Sequence, residues 1–179
     1  MACQYKMSNA RLTAEFFDRD VLQVAPGLLG KTLVRVYPNG TIERYFISET
    51  EAYRGIEDLA CHASKGLTPR TQVMFGPAGV LYVYLIYGIY WMLNIVADGE
   101  NNASAVLIRG INDVIGPGRA GRLLQIDKSF YGENLALSNR LWIEGDASAI
   151  VNYSTHNRVG IDYAGEPWVS LHWRFRAGI

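Results

Sequence analysis

The feature that most constrains this chain is the apolar run from Val80 to Val96, which is broken at Gly88 and carries four tyrosines and Asn94. It is too short and too polar in pattern to span a bilayer. A Tyr87-Gly88 pair in the middle of such a run reads instead as a tight turn between two strands, Val80–Ile86 and Ile89–Val96. Alternation puts Tyr82 and Tyr84 on one face, and sends Tyr87 to the opposite set or to the hairpin tip. A tyrosine beside Gly88 at a tip stands in solvent, where burial does not account for it. Such an aromatic fits a wedge that enters a base stack, whereas a tyrosine stripe at strand spacing also fits ordinary core packing.

The rest of the chain supplies partners for that hairpin. Thr13 is placed as a helix N-cap, with Glu15 in the first turn and Phe16, Phe17, Val21 and Leu22 following at helical spacing; Pro26 and Gly27 close or kink the helix. Lys31–Tyr37 reads as a strand, Pro38-Asn39-Gly40 as a turn, and Thr41 to about Glu51 as the returning strand. Arg54 to Ala78 is turn-rich and polar, and an irregular stretch of that length in a compact domain is usually functional or mobile. Ala103–Ile111 reads as a further strand and Ala120–Ile126 as a helix. Ser129–Ser138 is a loop or short helix, and short strands and turns follow. With 179 residues, 49% of them hydrophobic, there is material for one core. The expectation is an α+β fold: a single compact mixed domain over 12–179 with antiparallel β-hairpins and a curved sheet flanked by helices, behind a disordered leader at 1–11.

Composition narrows the function classes. The 17 Lys and Arg balance 17 Asp and Glu, which argues against a protein that coats nucleic acid nonspecifically but leaves room for a local basic face. The two cysteines, Cys3 and Cys61, make a poor framework, because Cys3 lies in the leader; a reduced, cytoplasmic protein without an export signal is expected. The three histidines, His62, His156 and His172, have no partner at metal-ligand spacing, so no metal is expected. Gly30-Lys31-Thr32 imitates the end of a phosphate-binding loop, but Ala25 stands where glycine is required. Gly116, Gly118 and Gly121 spell GxGxxG without the strand and acidic residue of a dinucleotide fold. Gly116-Pro117-Gly118-Arg119 fits an ordinary helix start, or backbone N–H groups and a cation for a DNA phosphate.

One further pattern carries chemistry. In extended chain, Glu49, Glu51 and Tyr53 of Glu49-Thr50-Glu51-Ala52-Tyr53 project to one face. That face fits either the solvated edge of a sheet or a general base beside a stacking ring, since a carboxylate in a partly apolar pocket is pushed towards the working pH. His62, alone in Ala60-Cys61-His62-Ala63, fits a structural hydrogen-bonder as well as a catalyst.

The fragments in order resemble a known family. Ile47-Ser48-Glu49-Thr50-Glu51-Ala52-Tyr53, Asp58, Cys61-His62-Ala63, Thr68-Pro69-Arg70, Met74-Phe75-Gly76, Gly79 through Gly88, and Leu93-Asn94-Ile95-Val96 resemble the alkyladenine (3-methyladenine) DNA glycosylases. The resemblance continues at Val106-Leu107-Ile108-Arg109, Gly116-Pro117-Gly118, Ile126 to Phe130, Arg158 to Gly165 and Trp173-Arg174-Phe175, covering nearly the whole chain after Leu12. Glu166-Pro167-Trp168 departs from the family run. The resemblance implies a cofactor-free, metal-free, monofunctional enzyme of base excision repair. Its partner would be double-stranded DNA containing damaged purines (3-methyladenine, 7-methylguanine, hypoxanthine or ethenoadenine), bound by a monomer without membrane association. By the same resemblance, Glu51 is the general base that activates water and Arg109 helps to hold both. Tyr53, His62 and Tyr84 enclose the flipped base, Asn94 crowds a purine 2-amino group, and Tyr87 fills the gap left in the duplex. Thr68, Arg70, Arg119 and Lys128 fall where the family contacts phosphate.

The physics of the reaction agrees. A base must leave the stack to be reached, and N-methylated purines are cations, attracted to tyrosine faces by roughly 0.5–2 kcal/mol per ring. Two other classes compete: a non-catalytic module that binds lesions or single strands through its tyrosines, and a protein that holds small aromatic ligands. Glu51 and Arg109 are superfluous in the first, and Tyr87, Arg119 and Lys128 in the second.

Overall fold

A computed structural model describes residues 10–178. Most of the leader expected at 1–11, Cys3 included, lies outside the described residues; the chain is already docked at Arg11, which bridges Glu144 and donates to the Ala136 carbonyl at 3.1 Å. The first helical region is two helices rather than one, α1 (Ala14–Phe17) and α2 (Val21–Leu28). Asp20 makes the break: its carboxylate accepts from the Leu22 N–H at 2.8 Å and caps α2, a role in which Asp is worth more than in a helix interior. Pro26 sits inside α2, close to its end.

Antiparallel strands carry the remainder: β1 (Thr32–Val36), β2 (Ile42–Tyr53), β3 (Leu81–Ile86), β4 (Tyr90–Ala97), β5 (Ser104–Ile111) and β6 (Val114–Ile115). After helix α3 (Pro117–Leu123) come β7 (Leu141–Glu144), β8 (Tyr153–His156) and β9 (Arg174–Ala177). The main path runs β3-β4-β5-β2-β1-β7, with β6 against β5, β9 against β2 and β8 against β9. The fold is thus α+β, a curled antiparallel sheet with few helices, as the hairpin pattern suggests. No helix among the described residues is long and apolar enough to cross a membrane.

Strand β2 is the spine. Its residues 47–52 are all buried, because both of its faces are covered. On one side Ile47 and Ala52 join Phe16, Phe17, Val21, Val24, Leu28 and Ile108 in the main core, and the Thr50 hydroxyl donates to the Ala25 carbonyl of α2 at 2.9 Å. The other side carries Glu49, Glu51 and Tyr53. A bulge shifts the β2–β5 register on both sides of Glu49. Gly110 permits it, since a Cβ there would meet Ser48 Oγ at 2.8 Å and Glu49 Cβ at 2.9 Å.

The GxGxxG string has a packing explanation. A Cβ at Gly118 would lie 2.8 Å from the Tyr90 ring, and one at Gly121 only 2.1 Å from the Trp91 carbonyl oxygen. These glycines press α3 onto β4 rather than cradle a phosphate. Lys31, from the other glycine-containing motif, is buried and donates to the Ala149 carbonyl at 2.5 Å.

Gly121→Ala is therefore expected to push α3 off β4 and cost about 1–3 kcal/mol. For a chain of this size that lowers the thermal midpoint by roughly 2–12 °C. A melting curve superimposable on that of the wild type would refute the close-packing account.

Candidate active site

At the centre are two carboxylates and two guanidiniums. The Glu51 side chain is 0% exposed. One of its oxygens accepts from the Val159 N–H at 2.9 Å and lies 3.6 Å from Arg109 Nη1, while the other accepts from the Tyr53 phenol at 2.9 Å. The Arg109 contact is close enough for charge attraction and too long for a hydrogen bond. Arg109 Nε also lies 3.6 Å from Glu49, whose other oxygen is held by Arg174 Nη1 at 2.7 Å. Burial pushes the Glu51 carboxyl above its ordinary range, and Arg109, the Val159 N–H and the Tyr53 phenol pull it back only in part. The acid is thus both basic and hydrogen-bonded, as proton abstraction requires.

Tyr53 connects this cluster to a cleft lined by Tyr53, His62, Tyr82, Tyr84, Asn94 and Tyr163, with Cys61 and Met74 at its floor. His62 opens a 3-10 turn (His62–Lys65), and β3 delivers Tyr82 and Tyr84 on one face. His62 and Tyr84 meet edge to face, with ring centroids 4.6 Å apart. The His62 Nδ1 and the Tyr82 hydroxyl share a hydrogen bond of 2.8 Å. Burial, helped by the charge of Arg70, lowers the His62 imidazole to about 4, so it is neutral at physiological pH. Burial raises the Tyr82 phenol to about 12, which keeps its proton available to Nδ1. The buried Asn94 amide donates to the Tyr82 carbonyl at 3.1 Å. The cleft has a cavity volume of about 40 Å³. That holds about three waters, so a larger flat ligand enters only as the rings part.

Behind Tyr53 stands a buried ion pair. Arg158 grips Asp58 with two hydrogen bonds, 2.5 and 2.9 Å, and its guanidinium lies 4.9 Å from the Tyr53 ring centroid and 5.0 Å from that of Trp173. The Asp58 oxygens also accept from the Arg54 and Ala60 N–H groups. The hydrogen-bonding capacity of this carboxylate is well used, and the cation braces the wall of the cleft.

Tyr87 caps the β3–β4 hairpin and is 84% exposed. It and Gly88 have φ of 53° and 69°, as in the primed turns that suit hairpins, although a tyrosine in that region costs on the order of 1 kcal/mol. Ile89 and Leu85 are exposed beside it. The residues expected at phosphates are scattered. Arg70 and Lys128 line one groove with Tyr84 and Trp91, and the Arg70 guanidinium lies 4.8 Å from the Tyr84 ring centroid. Arg119 is exposed on α3 and is not among the residues that line that groove. The Thr68 hydroxyl is engaged with Thr71, at 2.9 Å from its hydroxyl and 3.2 Å from its N–H, in closing their turn.

The structure thus brings Glu51, Arg109, Tyr53, His62, Tyr84 and Asn94 together. It adds Tyr82, Tyr163, Arg158 with Asp58, and Arg174, which holds the Glu49 read on the same face as Glu51. Tyr82 was signalled by sharing a strand face with Tyr84. Arg158 and Arg174, 100 and 125 residues from their partners, left no local signal.

A ring-lined cleft beside a buried, hydrogen-bonded carboxylate, at the foot of a hairpin that exposes an aromatic, is an arrangement that can take up a flat aromatic group and can activate a water at its edge. Comparison with known proteins gives that arrangement its family. The Methylpurine-DNA glycosylase family matches residues 15–115 and 112–178. A protein of Methanocella arvoryzae named "Putative 3-methyladenine DNA glycosylase" is 40% identical over 92% of this chain and 90% of its own length. Proteins of the same name from Legionella pneumophila strain Corby (43% identical; 92% and 93% covered) and Chlorobaculum parvum (39%; 88% and 85%) agree. The chain belongs to the methylpurine-DNA glycosylase family, and is a DNA glycosylase of DNA repair.

Removing one member of the buried pair leaves the other uncompensated. Arg158→Met is expected to cost about 3–5 kcal/mol. The thermal midpoint should fall by roughly 6–20 °C, and a midpoint within a degree of the wild type would show that the pair bears no weight.

Proposed function

We propose that the chain is a monofunctional glycosylase that acts as a monomer in the cytoplasm on double-stranded DNA, excising alkylated or deaminated purines by base flipping. The substrates have the chemistry of 3-methyladenine, 7-methylguanine, hypoxanthine and ethenoadenine. The observation that carries this reading is the Glu51 carboxylate, raised in basicity by burial and hydrogen-bonded to Tyr53 at the wall of the cleft.

Tyr87 wedges into the duplex and occupies the gap left by the extruded nucleotide, whose base enters between Tyr53 and the His62–Tyr84 pair. Cationic methylpurines gain from the ring faces, and neutral His62 adds no repulsive charge. Glu51 takes a proton from a water that attacks the sugar C1′. The C1′–N bond breaks, its electron pair leaves with the purine, and the water oxygen stays on the sugar. A methylated purine departs as a neutral base, so a single carboxylate is enough. The cleft lining contains no lysine to form a Schiff base. Arg70 and Lys128 supply cations to the backbone, and the zero net charge fits a small set of phosphate contacts.

Two experiments test this. Glu51→Gln should lower base release by about 10²- to 10⁴-fold while retaining binding to lesion duplexes. Release is read as alkali-labile strand cleavage over a panel of the four lesions, with guanine as a control that stays uncut. Release close to the wild-type rate would eliminate Glu51 as the base. Binding without wild-type cleavage of any lesion would favour the lesion-binding module. For the wedge, Tyr87→Ala should reduce the fluorescence change of a reporter base opposite the lesion; an unaltered signal would remove Tyr87 from flipping.

A further inference from the structure

Glu49 is the acid that the proposed mechanism does not use. It is as buried as the catalytic base, with its side chain 2% exposed, and it faces the same guanidinium. The bulge is what brings it there: the β2–β5 register shifts on either side of Glu49, and Gly110 opposite leaves the room. One Glu49 oxygen is fixed by Arg174 at 2.7 Å, and Arg174 is itself anchored through Nε to the Asn157 carbonyl at 2.7 Å. The other oxygen, Oε2, and Arg109 Nε are 3.6 Å apart, and each is buried without a hydrogen-bond partner. Arg109 therefore stands between two carboxylates, 3.6 Å from each and hydrogen-bonded to neither.

Buried guanidiniums ordinarily seat bidentately on one carboxylate. A suspended one means that the two acids compete for it. We propose that Glu49, held by Arg174, is a positioning residue: it draws Arg109 away from Glu51, so that the general base keeps its affinity for a proton. The inference rests on Glu51 being the base. The other groups facing Glu51 are Tyr53 from its own strand, Tyr84 from β3, and the Val159 N–H, with the Arg158–Asp58 pair behind Tyr53. None of them hydrogen-bonds Glu49 Oε2.

The two partners have opposite signs, which separates positioning from plain destabilisation. Glu49→Gln removes a like charge and releases Arg109 to Glu51, and both effects favour the ionised base. Arg174→Gln removes a cation and leaves Glu49 to Arg109 alone, and both effects favour the protonated base. The measurement is single-turnover release of a methylpurine from duplex DNA against pH. The leaving base is already cationic there, so the acid limb reports Glu51. Glu49→Gln should move that limb to lower pH by about one unit and lower the plateau a few-fold, since a weaker base is a poorer one. Arg174→Gln should move the limb to higher pH, and Glu49→Asp should restore the wild-type position in part.

Limbs that stay in place, or that move the same way in both variants, overturn the proposal. If Glu49→Gln does not fold, as judged by circular dichroism and melting, Arg174→Gln decides alone, and a limb at or below the wild-type pH is fatal. Wild-type enzyme that releases no methylpurine would sink the excision reading instead. Wild-type release with both limbs unmoved sinks only the role of Glu49.

Discussion

The pairing of β2 with β5 across the bulge at Glu49 is the interaction on which the rest of this structure depends. A strand buried on both faces would ordinarily be apolar throughout. Here one face of β2 packs the core through Ile47 and Ala52, while the other presents two carboxylates where water is excluded. Taking two such groups out of water costs several kcal/mol each. The cost is tolerated because Arg109 and Arg174 bring equal opposite charge, and because Glu51 accepts from both the Val159 N–H and the Tyr53 phenol. A one-residue slip of β2 would exchange the faces: the acids would enter the core, and Tyr53 would leave the cleft.

From that spine the remaining parts follow by short covalent paths. Tyr53 ends the strand that holds Glu51, so the ring wall and the acid are fixed by two residues of extended chain. Across the cleft, β3 supplies Tyr82 and Tyr84 from one face and reaches its exposed tip at Tyr87, three residues further on. The tyrosine on the β3 wall and the one in solvent therefore belong to one stiff hairpin, and neither moves far without the other. Tyr84 lines both the cleft and the groove that carries Arg70 and Lys128, so one ring separates the site for a base from the groove assigned to backbone phosphate.

How much of this was legible beforehand depended on range in sequence. The β3–β4 hairpin, the β1–β2 turn at Pro38-Asn39-Gly40 and the common face of Glu49, Glu51 and Tyr53 are set by alternation and turn chemistry within about a dozen residues, and they stand as read. The first helix was misread because Asp20 looks like any polar residue on a helix surface until its carboxylate is seen capping α2. The glycines at 118 and 121 were ambiguous between ligand and packing, and only the proximity of Tyr90 and Trp91 decides. Arg158 and Arg174 were invisible as site residues for a different reason. Their partners, Asp58 and Glu49, are 100 and 125 residues away, and no local pattern specifies which buried acid a distant arginine will meet.

The closed cleft and the balanced cluster bear on each other. Glu51 is wholly buried behind Tyr53 and does not line the cavity of about 40 Å³, and this burial dominates its basicity. Admitting a base means parting Tyr53 from the His62–Tyr84 pair, and Tyr53 is the donor to Glu51. In the proposed reaction, a widening of the cleft that moves Tyr53 loosens one of the bonds that stabilise the carboxylate as an anion, whereas a cationic purine brings a charge that stabilises it, so the two act on Glu51 in opposite directions. Arg109, 3.6 Å from Glu51, would add to the second effect by closing that gap. Its distance from both acids, with Nε unpaired, leaves it out of hydrogen-bond contact with the proposed base.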